Sequence, residues 1–155
     1  VSPAPDDVPL ARLLAMAYRS LIDGLHEHLH ARGWHDVRPA FGFVLLAARD
    51  RPTTNAELAV LMGTTKQAAS KLVTVMEESG YLERATDADD GRVLAVTLSR
   101  RGRRLLAAVD EIYAELEAGW AAILGAHAVE RLRRDLTSVM LRTNDGELPP
   151  VRPTW

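Results

Sequence analysis

Residues 54–98 read TNAELAVLMGTTKQAASKLVTVMEESGYLERATDADDGRVLAVTL, and their periodicity changes part-way. Thr54 or Thr53 can cap a short helix, Asn55–Met62, with Ala56, Leu58, Ala59 and Met62 as its core face. Gly63 makes the turn. Thr64 or Thr65 caps a second helix that reaches Ser79 and is stopped by Gly80. From there the spacing becomes strand-like, with Tyr81–Ala85 and Val93–Leu98 as two strands. The polar cluster Thr86–Gly91 between them ends in Asp-Gly and reads as a turn. Two helices joined by a tight turn form a helix-turn-helix, whose second helix presents its N-terminal residues to DNA base edges in the major groove.

The second helix has residue types that suit this role. Its buried face is expected to be Ala68, Leu72, Val75 and Met76. The opposite face offers Thr65, Lys66, Gln67, Ser70, Lys71 and Thr74, with Thr64 just ahead of them. Glutamine can hydrogen-bond adenine at two positions. Lysine reaches guanine or phosphate, while threonine and serine suit phosphate oxygens or thymine methyls. The positive end of a helix adds affinity for phosphate. No acid occurs from Thr64 to Val75. The same residue types also make an ordinary solvated face, so the local chemistry by itself leaves both readings open.

The flanks on either side read as helices. Residues 1–9 form a Pro-rich, acidic, flexible tail without the basic start of a signal peptide. Leu10, Leu13, Leu14, Ala17, Leu21, Leu25 and Leu29 recur at helical spacing, and Gly33 closes that helix. Pro39 opens a very apolar helix, Ala40–Ala48, ended by Asp50-Arg51-Pro52. Ser99 can cap a long helix through Leu105, Leu106, Val109, Ile112, Leu116 and Trp120 to about Leu124. A last helix aligns Val129, Leu132, Leu136, Val139 and Met140, and residues 143–155 form a second flexible tail. The fold class is mainly α with a small β-wing.

Composition narrows the function classes. The chain has 155 residues, 47% of them apolar and 26% charged, enough for a packed core. The absence of cysteine removes disulfides, thiolate metal sites and thiol redox switches, and it fits a cytoplasmic location. No apolar run approaches the roughly 20 residues of a bilayer span, so no membrane partner is expected. The net charge is −2, and only residues 51–104 are locally net positive.

The ordered motifs are more specific than the composition. An E-L-A helix (Glu57-Leu58-Ala59) precedes Thr64–Val73, and Gly80-Tyr81-Leu82-Glu83-Arg84 follows. Next come a D-x-R tip at Asp90 and Arg92 and an L-S-x-x-G exit from Leu98 to Gly102. This combination resembles the MarR family of bacterial transcription regulators over about residues 38–104; the flanking helices match by layout only. The resemblance implies a winged helix-turn-helix homodimer that binds double-stranded DNA at pseudo-palindromic promoter sites, usually as a repressor. It implies a division into an N-terminal dimerisation helix and loop at 10–37, a DNA-binding lobe at 38–98 and C-terminal dimerisation helices at 99–142. It also implies a minor-groove role for Arg92, braced by Asp90; a guanidinium suits that narrow, electronegative groove. Val93 stands where family wings often carry a second basic residue, and Asp87 and Asp89 add negative charge at the tip. Arg84 matches the family's strand arginine, with an ion pair and a DNA contact both open. The alternative at this point is a winged-helix module that binds protein.

Two further groups stand outside that pattern. His26-Glu27-His28-Leu29-His30 matches the H-E-x-x-H metalloprotease motif, and His26 and His30 lie one turn apart. No catalytic domain surrounds it. A metal-responsive site, with His35 or Asp36 as further ligands, competes with plain surface histidines of which His28 is the most buried. No catalytic residue and no cofactor are assigned. The resemblance also implies a small aromatic or amphipathic anion as effector, in a cleft that Tyr18, Trp34, Arg38, Phe41 and Tyr113 would line. For each aromatic, plain core packing is the competing explanation.

Overall fold

A computed structural model describes residues 7–86 and 94–149. The elements run α1 (Leu10–Ala31), α2 (Phe41–Ala47), β1 (Thr53–Thr54), α3 (Asn55–Met62), α4 (Lys66–Glu78), β2 (Leu82–Thr86), β3 (Leu94–Leu98), α5 (Arg100–Leu124) and α6 (Ala126–Thr143). The architecture is helical with one three-stranded antiparallel sheet, in the order β1-β3-β2.

The helix boundaries follow local chemistry. Thr54 caps α3: its hydroxyl accepts the Glu57 N–H at 3.2 Å, while the Glu57 carboxylate accepts the Thr54 N–H at 2.7 Å. This reciprocal pair satisfies two N–H groups that the helix leaves free. Gly63 ends α3 at φ 63°, a left-handed conformation that glycine adopts without steric cost. Thr65, not Thr64, caps α4, accepting the Ala68 N–H at 3.1 Å. Ser99 caps α5, accepting the Gly102 N–H at 3.0 Å.

The sheet departs from the sequence reading at β2, which leaves out Tyr81 and takes in Thr86 from the expected turn, and in having a further strand. Thr53 and Thr54 form a third strand, paired with Val96 and Ala95. The longer pair, β2 with β3, joins Leu82 to Leu98 and Thr86 to Leu94.

Two core faces also differ from expectation. In α4 the buried residues are Ala69, Val73 and Met76; Leu72 and Val75 are half-buried and Ala68 is exposed. The adjacent alanines allow two overlapping stripes, and packing against α3 and β2 selects the later one. In α3, Leu58, Ala59 and Met62 are buried but Ala56 is exposed. That helix is apolar on nearly every side, so its sequence carries little direction.

The core lies where α2, α3, α4, the sheet and the first half of α5 meet, with Phe41, Val44, Leu45, Leu58, Met76, Tyr81 and Leu105 sealed inside. Helix α1 packs on α5 and adds Leu25 and Leu29 to the same core, whereas α6 packs on α5 with no residue buried. Arg32 of α1's C-terminal end reaches Glu111 at 3.1 Å and Glu115 at 2.5 Å, and His28 meets Glu115 at 3.3 Å. Arg133 of α6 pairs with Glu117 of α5.

Candidate nucleic-acid interface

α4 offers a continuous polar face. Thr64, Thr65, Lys66, Gln67, Lys71 and Thr74 are exposed, and Ser70 is half-buried. Two hydroxyls already have local work. The Thr65 oxygen accepts the cap bond, and the Thr74 hydroxyl donates to the Ser70 carbonyl at 3.0 Å. The amine and amide tips of Lys66, Gln67 and Lys71 are therefore the side-chain groups best placed to reach a partner. The first acids beyond the face are Glu77 and Glu78, at the far end of the helix. Glu77 is itself paired with Arg84 at 2.9 Å, so for Arg84 the ion pair is the interaction observed. Asp90 and Arg92, the expected wing tip, lie outside the described residues.

The aromatic residues singled out in the sequence fall in separate surroundings, two of them on Tyr81. Phe41 is fully buried and packs on Tyr81, ring centres 5.8 Å apart. Trp34 faces the same tyrosine at 6.2 Å. Tyr113 is half-buried; burial first, and neighbouring Tyr18 second, push its hydroxyl above the usual tyrosine range. Arg38 is exposed. None of the five lines either of two surface grooves among the described residues. One is bounded by Ala47, Val60 and Leu61; the other runs along α1 from Arg12 to His28, against Leu116.

The histidines differ in their surroundings. His26 is half-buried, and burial lowers its pKa below 6.5 despite a counteracting Asp23. His30 is exposed and meets the His35 ring edge-on at 4.3 Å. Asp36 is engaged elsewhere, by Tyr81 and Arg101. Among the described residues, no group of three or more His, Asp or Glu side chains is arranged to hold a metal ion.

One cluster escaped the sequence reading. The Tyr81 hydroxyl donates to Asp36 at 2.5 Å. Arg101 donates to Asp36 at 3.1 Å and to the Tyr81 oxygen at 3.0 Å. Tyr81 had the signature of a buried strand residue only, and nothing in the local spacing links it to residues so distant in sequence.

The arrangement of a capped helix pair, an acid-free polar face and a three-stranded sheet has counterparts among known proteins. Residues 43–93 match the sequence model of the MarR family. E. coli MarR in its apo form is 24% identical, with a TM-score of 0.69 over 86% of this chain and 98% of that one. The fold is that of the MarR family. A MarR family protein from Bacillus stearothermophilus aligns with a TM-score of 0.73 at 21% identity, over 86% of this chain and 92% of that one. An S. aureus MepR mutant bound to an oligodeoxyribonucleotide aligns at 0.59 with 20% identity, over 89% of this chain and all of the other. No curated protein matches the sequence. Within the MarR fold, α3 and α4 are the helix-turn-helix and β2–β3 the base of the wing. Among the described residues, no helix is long and apolar enough to cross a membrane.

Proposed function

We propose that this chain is a DNA-binding transcription regulator that works as a homodimer and represses from pseudo-palindromic promoter sites. The observation that carries the reading is the exposed, acid-free face of α4 with Lys66, Gln67 and Lys71, on a fold matched by a DNA-bound MepR mutant. Gln67 reads a base, Lys66 and Lys71 engage phosphate or guanine, and Arg92 with Asp90 grips the minor groove. The apolar surfaces of α1 and α6 support the dimer, which places two α4 helices on half-sites about 10–10.5 bp apart.

A small aromatic or amphipathic anion relieves repression in this reading. Tyr18, Trp34, Arg38, Phe41 and Tyr113 line neither described groove of the single chain, and in this reading the second copy completes the cleft. Such a ligand acts only through unequal affinity for the two lobe arrangements.

The test is duplex selection from a random pool, followed by binding measured against salt. Gln67→Ala should weaken the selected site by about 1–3 kcal/mol and leave random DNA almost unaffected. Arg92→Ala should weaken both and make the salt slope shallower by roughly 0.9 for each phosphate left unneutralised. Failure to retain any duplex at low salt would overturn the DNA reading in favour of a protein-binding winged helix.

A further inference from the structure

Tyr81 sits where the winged lobe and the helical arms are covalently joined. The chain passes between them twice, through the loop after α1 and through Ser99 at the start of α5. Tyr81 touches both crossings. Its hydroxyl bonds to Asp36 of the loop, and Arg101 of α5 closes the triangle. Its ring lies between Phe41 and Trp34, with the Arg101 guanidinium 4.7 Å above it. Its backbone joins two more elements: the Tyr81 N–H donates to the Met76 carbonyl of α4 at 2.8 Å, and its carbonyl accepts the Ser99 N–H at 3.0 Å. The recognition helix therefore runs on into β2 through the residue that also binds both crossings.

We propose that Tyr81, Asp36 and Arg101 form a latch that sets the angle between the recognition helix and the dimerisation arms. Tyr81 is a positioning residue in this scheme, and it touches no DNA. The chemistry is suited to a latch and poor for bulk stability. Tyr81 is fully buried, but the side chains of Asp36 and Arg101 are about half exposed. An exposed ion pair adds little stability. A buried hydroxyl aimed at a carboxylate makes a strong, directional bond. Burial, and then Asp36, raise the hydroxyl's pKa above 10.0, so it remains a donor at neutral pH. A second arm-to-lobe tie, Arg49 to Asp110 at 2.9 Å, is a single exposed pair. The latch matters for function only if the DNA reading above holds, but its geometry can be measured without DNA.

The absence of cysteine makes the measurement clean. Arg19→Cys on α1 and Glu78→Cys at the end of α4, both exposed, carry two spin labels on one chain, diluted into unlabelled protein. The parent should give one narrow distance distribution. Tyr81→Phe, which keeps the ring and removes one oxygen, should broaden or displace it. Asp36→Asn should do the same. Amide exchange at Tyr81 and Ser99 should quicken by about five- to ten-fold, as for loss of one hydrogen bond. Unchanged distances in both variants would overturn the latch, whatever the DNA result. A broadened distribution in a protein that binds no duplex would uphold the latch and sink the DNA reading. With both intact, Tyr81→Phe should tolerate half-sites respaced by a base pair or two that the parent rejects.

Discussion

Phe41, Val44, Leu58 and Tyr81 are sealed from solvent within one chain, whereas Leu10, Ile123 and Val139, equally apolar, stand open to it. The first group belongs to the winged lobe and the second to the arms. No residue of α6 is buried. Leu132, Leu136 and Met140, aligned along α6, are each more than a third exposed, as are Leu13 and Leu14 on α1. The lobe completes its core within one chain, with Leu25 and Leu29 of α1 and Leu105 and Ile112 of α5 packed into it. The arms leave a stripe that monomeric proteins rarely expose, so the two regions should respond differently to mutation.

The largest effect is expected in the arms. Leu132→Glu with Leu136→Glu should weaken self-association by about 2–4 kcal/mol, the scale of central interface residues. The unfolding of the lobe should shift by no more than about 0.5 kcal/mol. Sedimentation and chemical denaturation together check both halves, and loss of the lobe's transition would erase the contrast.

Gly102→Ala tests the lobe. Alanine in a helix is ordinarily better than glycine by about 1 kcal/mol. Here its Cβ would stand 2.1 Å from the Tyr81 carbonyl oxygen, which already accepts the Ser99 N–H. The net result should be a loss of about 1–3 kcal/mol, read by thermal unfolding. Thr54→Ala removes the cap of α3 and should cost about 1 kcal/mol by the same measurement.

The smallest effect is a pH dependence in the arms. Burial holds His26 below 6.5, so the unfolded chain binds its proton more readily than the folded one. Its contribution is complete above pH 6.5 and is lost as pH falls below that value. Glu57 and Glu115 are held below 4.5, chiefly by the Thr54 N–H and by Arg32, so their contributions are complete above 4.5 and are lost only as pH falls below it. Between about pH 7.5 and about pH 5.5, the parent's melting temperature should fall more than that of His26→Gln. Parallel curves would remove His26 from the account.

Most of the helices were legible because amphipathic spacing, caps and glycine stops coincide in the sequence. β1 was not, since two threonines after Pro52 have no period and become a strand only through Val96 and Ala95. The face of α4 could be read from its polar side, where Lys66, Gln67 and Lys71 are exposed as their spacing implies, and misread on its apolar side. The latch was invisible because its partners are separated by 45 and 20 residues, and each has an ordinary local explanation. For the residues expected around an effector the limit is a related one. Periodicity assigns Phe41 to an apolar helix but cannot say that its ring turns inward toward Tyr81.

The strand order has a consequence for synthesis. β3 lies between β1 and β2 yet follows both in the chain. As the polypeptide leaves the ribosome, the helix-turn-helix emerges before the strand that joins the other two. Its sheet cannot close until Leu98 is free of the exit tunnel, and Gly102 and Leu105 must follow before Tyr81 is covered. Until then the nascent segment exposes two unpaired strand edges and the apolar sides of α2, α3 and α4, the kind of surface that chaperones capture. A pause in translation shortly after Leu98 would prolong that exposure, whereas one that comes after Leu105 has left the tunnel would find the lobe already shut.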